Sequence, residues 1–255
     1  MIAEARPWAA DEFDELEGLQ PEEVLGWAYR TFGRVVLVAS FQAESIVLID
    51  MACRVAERPE ALTLDTGRLP EETHELIDRV RARYPIDLHV QAPDPGEVAE
   101  MVGAHGPNLF RRSVELRERC CEVRKVRPLA RALAGYDAWV TGLRRDQSSS
   151  RRGTPIAQVD RAHGGLAKIA PLARWTRERV WAYVQEHDLD RHALYARGYR
   201  SIGCAPCTRA VGPDEDERAG RWWWESSTIK ECGLHWTGSG FAPARGQLGV
   251  RADAR

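Results

Sequence analysis

Val35-Val36-Leu37-Val38-Ala39 is an unbroken apolar run rich in β-branched residues, the pattern of a short strand buried on both faces. A polar turn follows, Ser40-Phe41-Gln42-Ala43-Glu44-Ser45, and then a helical stretch from Ile46 to about Ala56. The unit then recurs. Ala61-Leu62-Thr63-Leu64-Asp65 ends in Thr66-Gly67-Arg68 and leads into a helix over 70–83, while 87–90 and 138–141 predict a third and a fourth strand. Strands alternating with helices predict an α/β fold, a parallel sheet with helices on both faces. In such sheets ligands bind beyond the carboxyl ends of the strands, where these polar turns lie.

Before the first strand, residues 8–32 predict two helices, with Phe13, Leu16 and Leu19, then Val24, Leu25 and Tyr29, on their apolar faces. Pro21-Glu22-Glu23 suits the first turn of the second, since Pro fits there and acids favour the positive end. Residues 155–171 predict a hairpin around Gly164-Gly165, and Thr176 opens a helix over 176–187. After Pro213 an acidic stretch to Glu217 gives way to Arg218, Arg221 and Trp222-Trp223-Trp224. The triple Trp reads first as core, with a stacking surface or docking patch as alternatives. Residues 237–255, rich in Gly, Ala and Arg, predict a poorly ordered tail.

A chain of 255 residues can bury a substantial core. Its net charge of −2 gives no global pull toward nucleic acid or anionic membrane. No apolar run approaches spanning length, and the first residues lack the regions of a signal peptide. A cytoplasmic protein is expected. In that reducing compartment clustered cysteines read as metal ligands or redox groups before disulfides.

Five of the six cysteines fall in three groups: Cys120-Cys121, Cys204-Ala205-Pro206-Cys207, and Cys232 within Lys230-Glu231-Cys232-Gly233-Leu234-His235. Alone, CxxC is half a zinc site, half an iron–sulfur site or a redox dithiol. Zinc sites space paired ligands by two to four residues so that both sulfurs converge on one small ion. Adjacent cysteines point apart and suit the corners of a larger object, such as an iron–sulfur cubane with one iron per thiolate. The cubane is favoured, with structural zinc, a disulfide or free thiols as alternatives. Cys53 lies inside an apolar helix and reads as a buried free thiol.

Thr141-Gly142-Leu143-Arg144-Arg145-Asp146-Gln147-Ser148 follows a predicted strand, with Arg151 and Arg152 beyond it. Guanidinium groups chelate phosphate and sulfate oxygens, so this density points to an anionic small molecule, against the alternative of a solvated Arg-rich surface. Near Cys232, Lys230 and His235 stand close enough in sequence to lower the thiol pKa and favour the nucleophilic thiolate. A surface cysteine of no consequence is the alternative.

Aligned in order, these pieces resemble the assimilatory sulfonucleotide reductases, of the cluster-containing adenylyl-sulfate (APS) reductase type, over about residues 35–235. The resemblance rests on Cys120-Cys121, on Gly203 to Arg209, on Gly220-Arg221-Trp222-Trp223-Trp224-Glu225 and on Lys230 to His235. Leu64-Asp65-Thr66-Gly67-Arg68 and Thr141-Gly142-x-Arg144 agree as well. It implies a sheet of the adenine-nucleotide α-hydrolase kind, like that of the PP-loop pyrophosphatases. Ser40–Ser45 stands where those enzymes carry a Gly-rich Ser-Gly-Gly-x-Asp-Ser turn, and this chain departs from that turn.

By the same resemblance Cys120, Cys121, Cys204 and Cys207 hold a [4Fe-4S] cluster, with Lys125 beside it. Leu64 and Gly142 contact the nucleotide and Ser40 belongs to its turn. Arg144, Arg152, Arg218 and Arg221 surround the phosphosulfate, with Arg151 the competitor for the place of Arg152. Residues 1–213 form the nucleotide- and cluster-binding domain, and 214–255 a mobile segment carrying the catalytic Cys232 and His235. The implied reaction is attack of Cys232 on the sulfur of adenosine 5'-phosphosulfate, release of AMP, and resolution of an S-sulfocysteine by thioredoxin or glutaredoxin. A homo-oligomer is compatible with all of this. Alternatives are a reductase of the 3'-phosphorylated substrate (PAPS), a PP-loop iron–sulfur enzyme of tRNA thiolation, and a zinc-stapled nucleotide-binding module.

Overall fold

The structure, a computed structural model, describes residues 10–225, so Cys232 and His235 lie outside the described residues. Six strands, β1 (Val35–Val38), β2 (Glu60–Leu64), β3 (Asp87–Gln91), β4 (Ala138–Thr141), β5 (Ala157–Asp160) and β6 (Leu166–Ile169), form one sheet in the order β3-β2-β1-β4-β6-β5. All pairs are parallel except β5 with β6. The four apolar runs thus supply β1 to β4, and the expected hairpin is the antiparallel edge. Val36 of β1 lies in register with Glu60 on one side and Trp139 on the other.

The helices are α1 (Pro21–Thr31), α2 (Ala43–Val55), α3 (Glu71–Arg83), α4 (Pro95–His105), α5 (Val114–Cys121), α6 (Arg127–Leu133) and α7 (Arg177–Glu186). The first of the two helices expected over 8–32 is a 3-10 stretch, Ala10–Gly18. Ten consecutive residues of α2, Ala43–Ala52, are buried, as expected of a helix apolar on nearly all sides. Its two buried acids are satisfied: Asp50 accepts from Tyr183 and Arg54, and Glu44 from Arg144 and Gln147.

Alternation along β1 sends Val35 and Leu37 to one core, with α1, α2 and α7, and Val36 to another, with Leu62, Trp139 and Leu129 and Leu133 of α6. A third core contains Met101, Leu109, Phe110, Val123 and Trp222 together with four cysteines. Residues up to Glu225 pack here: Arg117 Nε donates to Glu225 Oε1 at 2.9 Å, both side chains nearly buried. Helices α5 and α6 join through a π-helical turn, Glu122–Val126. Among the described residues no helix is long and apolar enough to cross a membrane.

Candidate active site

The sheet order reverses between β1 and β4, and the crevice beyond their carboxyl ends is where an α/β sheet binds ligands. It holds a cavity of about 1080 Å³, mouth included. Its walls are the turn after β1 (Ser40, Gln42, Glu44, Ser45), the end of β2 (Leu64, Thr66), the segment after β4 (Gly142, Gln147, Arg151) and a late segment (Gly203, Arg218, Arg221, Trp222).

The turn after β1 keeps its shape without the glycines of a PP-loop. Ser45 Oγ accepts the Ser40 N–H at 2.9 Å, and Tyr195 Oη accepts that of Ala43 at 2.9 Å, which closes one donor of the α2 N-terminus. Phe41 takes the left-handed backbone itself, with φ 56°, and its ring is fully buried. Such a φ costs a non-glycine residue about 1–2 kcal/mol, which burial of the ring offsets. Gly142 is required by a close approach: a Cβ there would stand 2.8 Å from Glu44 Cβ. The Arg221 guanidinium lies against Gly203, where any Cβ would overlap it, and 4.8 Å over the Trp222 ring. Its Nε is buried without a hydrogen-bond partner.

A second cavity, about 340 Å³ with its mouth included, adjoins the first and is lined by Cys120, Cys121, Cys204, Cys207, Arg68, Phe110, Arg117, Arg124, Lys125 and Trp222. Cys120 and Cys121 end α5 just before the π turn, a geometry that recurs at functional sites. Cys204 and Cys207 flank a short 3-10 turn, fixed by Ala205 N–H donating to Arg68 O at 2.8 Å. The Thr66 hydroxyl is 3.3 Å from Cys204 Sγ, and Arg124 Nη1 donates to Thr66 O at 2.7 Å.

Burial pushes the Cys120 thiol up and that of Cys207 to about 11. At Cys204 burial acts the same way, but Lys125, the Thr66 hydroxyl and Arg221 outweigh it, and the thiol falls below its ordinary value. The four thiols surround a space; among the described residues no group of three or more Cys, His, Asp or Glu is set to hold a single metal ion. Four soft donors ringed by Arg68, Arg117, Arg124 and Lys125 suit an anionic thiolate-ligated group larger than one ion. Trp222, which lines this cavity, also keeps a buried indole N–H without a partner. Lys125 and Trp222 line both cavities.

Of the residues singled out from the sequence, Ser40, Leu64, Lys125, Gly142, Arg218 and Arg221 all line the first cavity. Two arginines are placed differently. Arg152 is exposed and outside the lining, and the buried Arg151 occupies the wall, because the 3-10 turn Ser149–Arg151 turns only one of the two inward. Arg144 is 1% exposed and does not line the cavity; Glu44, Asp146 and Glu217 hold its guanidinium behind the wall. Cys53 is half-buried, its thiol pushed up to about 11 by burial. Of the triple Trp, Trp222 is core, Trp224 packs on Phe110 and Trp223 is 38% exposed. Thr66, Gln147 and Arg124 are site residues that the sequence did not single out, though all three stand inside or beside motifs already quoted.

The family model for the phosphoadenosine phosphosulfate reductase domain matches residues 34–210. An adenosine 5'-phosphosulfate reductase of Allochromatium vinosum is 47% identical over 84% of this chain and 83% of its own length. Among solved structures, a phosphoadenylyl-sulfate (PAPS) reductase from Candida auris, in complex with phosphate, superposes with a TM-score of 0.69 at 28% identity, over 82% of this chain and all of that one. Yeast FAD synthetase, at 14% identity, shares the fold with a TM-score of 0.55 over 78% of this chain and 67% of its own.

Proposed function

This chain belongs to the phosphoadenosine phosphosulfate reductase domain family, and from that premise we propose that it reduces adenosine 5'-phosphosulfate to sulfite and AMP in sulfate assimilation. The observation that carries this reading is the pair of adjoining cavities, one at the switch point of the sheet and one ringed by four thiols, with Lys125 and Trp222 in both linings. The 47% relative is named for the nucleotide without a 3'-phosphate and the 28% structure for the 3'-phosphorylated one, which favours the former as substrate.

Lys125, Arg151, Arg218 and Arg221 face the phosphosulfate and stabilise charge developing on the leaving phosphate, the large electrostatic term of such transfers. Leu64 and Gly142 hold the nucleoside at the ends of β2 and β4. The Cys232 thiolate, on the 214–255 segment with His235, attacks the sulfur. The S–O bond to the phosphate breaks, AMP leaves with the electron pair, and a Cys–S–SO3⁻ adduct forms. One thiol of an external dithiol, thioredoxin or glutaredoxin in the cytoplasm, then attacks the Cys232 sulfur and expels sulfite, leaving a mixed disulfide. Its second thiol closes the donor's own disulfide and releases the Cys232 thiolate, so the dithiol supplies the two electrons. Cys120, Cys121, Cys204 and Cys207 would hold a [4Fe-4S] cluster, which would supply a fixed local charge in the cavity that shares Lys125 and Trp222 with that of the nucleotide. No step above passes through it.

The test combines an anaerobic spectrum and iron analysis with an assay of sulfite release. A brown protein with about four irons per chain that releases sulfite from the nucleotide and a dithiol supports the reading. A colourless protein with one zinc, or an iron-loaded one that releases none, overturns it.

A further inference from the structure

Arg144 makes four contacts that together touch three walls of the nucleotide cavity. Its Nε donates to Glu44 Oε1 at 2.8 Å, on the first turn of α2. Its Nη1 donates to Asp146, two residues on, and its backbone N–H to Gln147 Oε1 at 3.1 Å. Its Nη2 lies 3.4 Å from Glu217 Oε2, the residue before Arg218. Gln147 extends the network: its Nε2 donates to the same Glu44 oxygen at 3.0 Å, and its Oε1 accepts from Arg151 Nη1 at 2.6 Å. The turn after β1, the loop after β4 and the late segment that carries Arg218 and Arg221 thus converge on one guanidinium that is 1% exposed.

We infer that Arg144 is a positioning residue, a buried latch that fixes Arg218 and Arg221 against the nucleotide cavity through Glu217, and does not itself touch the phosphosulfate. Three carboxylates hold the guanidinium, and because it is 1% exposed and outside the cavity lining, a substrate oxygen has no path to the N–H groups they leave over. The planar fork spreads its donors over three nitrogens and so reaches acceptors on three separate segments at once, whereas an ammonium presents its donors from a single atom. Where β4 meets α2 the fit is close enough to require glycine at 142, so the Glu44 anchor cannot drift. Glu217 has Arg144 as its ion-pair partner, and cutting that link should loosen the seat of Arg218 and Arg221 while leaving Glu44 and Asp146 paired. The backbone bonds of Arg209 to Gly220 and of Trp222 to Cys207 still hold the course of the segment.

The inference rests on the reductase reading, and a double-mutant cycle tests it. Arg144→Met, Glu217→Gln and the double variant are compared with wild type for KM and kcat in sulfite release and for calorimetric AMP affinity. Each single variant should raise the AMP Kd and lower kcat/KM by about tenfold or more, with Arg144→Met, which also strips Glu44 and Asp146 of their cation, the poorer. The double variant should be within about twofold of it, because the Arg144–Glu217 link is already cut. Effects that multiply to about a hundredfold, or a Glu217→Gln protein that matches wild type, would overturn the inference. Should Arg144→Met fail to fold, Arg144→Lys takes its place: restored binding with lysine would show that charge alone suffices and overturn the latch. AMP affinity carries the test independently of turnover. Wild-type protein that binds AMP yet releases no sulfite would sink the reductase reading, and the cycle would still be read from Kd.

Discussion

The two adjoining cavities are made from opposite materials. The nucleotide cavity is a property of the sheet: its position follows from the reversal of strand order between β1 and β4, and turns and scattered side chains line it. Among the described residues the thiol cavity touches the sheet only through the turn after β2, at Thr66 and Arg68. It lies inside a small core of Met101, Leu109, Phe110, Val123 and Trp222, where cysteines occupy places that hydrophobes would fill and four cations close the rim. Changes in the first should therefore alter affinity and leave the fold standing. Changes in the second should alter the fold and whatever the thiols hold.

The largest effect should come from neither cavity. Cys232→Ser is expected to abolish sulfite release while nucleotide binding and iron content stay at wild-type levels; measurable sulfite from that variant would remove the proposed nucleophile. Next in size is Cys204→Ser, expected to lose iron and about 2–4 kcal/mol of stability in a denaturant titration, since a buried ligand site is broken. A variant that keeps its full iron would erase the contrast between the cavities.

Arg221→Ala probes the shared border. Loss of a charge-assisted contact worth about 1.5–3 kcal/mol should raise KM about 10–100-fold. Iron content should not change, and iron falling in parallel with affinity would mean that the cavities behave as one. The smallest effect belongs to pH. His192 is buried, its Nδ1 accepts the Leu194 N–H at 3.2 Å, and its Nε2 lies 2.9 Å from Thr73 Oγ1 on the cavity wall. Burial lowers its pKa from 6.5 to about 4. The unfolded chain takes up a proton near 6.5 and the folded one does not, so stability should fall as pH drops from about 6.5 to about 4, by about 2 kcal/mol after screening. Thermal melts of wild type and His192→Gln across that window should diverge, with the variant flatter.

The same contrast governs what the sequence disclosed. Strands β1 to β4 and the β5–β6 hairpin were legible because apolar runs bounded by turns have few other readings. Helices α4, α5 and α6 were not read. The inward positions of α5 and the π turn are Arg117, Cys120, Cys121, Val123, Arg124 and Lys125, and with one aliphatic residue among them apolar periodicity had little to register there. The two cysteine pairs nonetheless stood out from spacing and chemistry, and all four line one cavity. Side-chain direction was not: nothing in Arg151-Arg152 says which faces inward, and Arg144 carries the motif of a phosphosulfate ligand while its partners are carboxylates.

The π turn over Glu122–Val126 carries one residue more than an α-helical turn would hold, and its consequence is one of phase. Upstream, the helix is indexed to the thiol cavity through Cys120 and Cys121. Downstream, α6 is indexed to the sheet through Leu129 and Leu133. An uninterrupted α-helix advances about 100° per residue and has a single phase along its length. The extra residue acts as a vernier between the two indices. A one-residue deletion inside the turn would rotate one end by about that angle, and the helix would have to abandon either its thiols or its seat on the sheet.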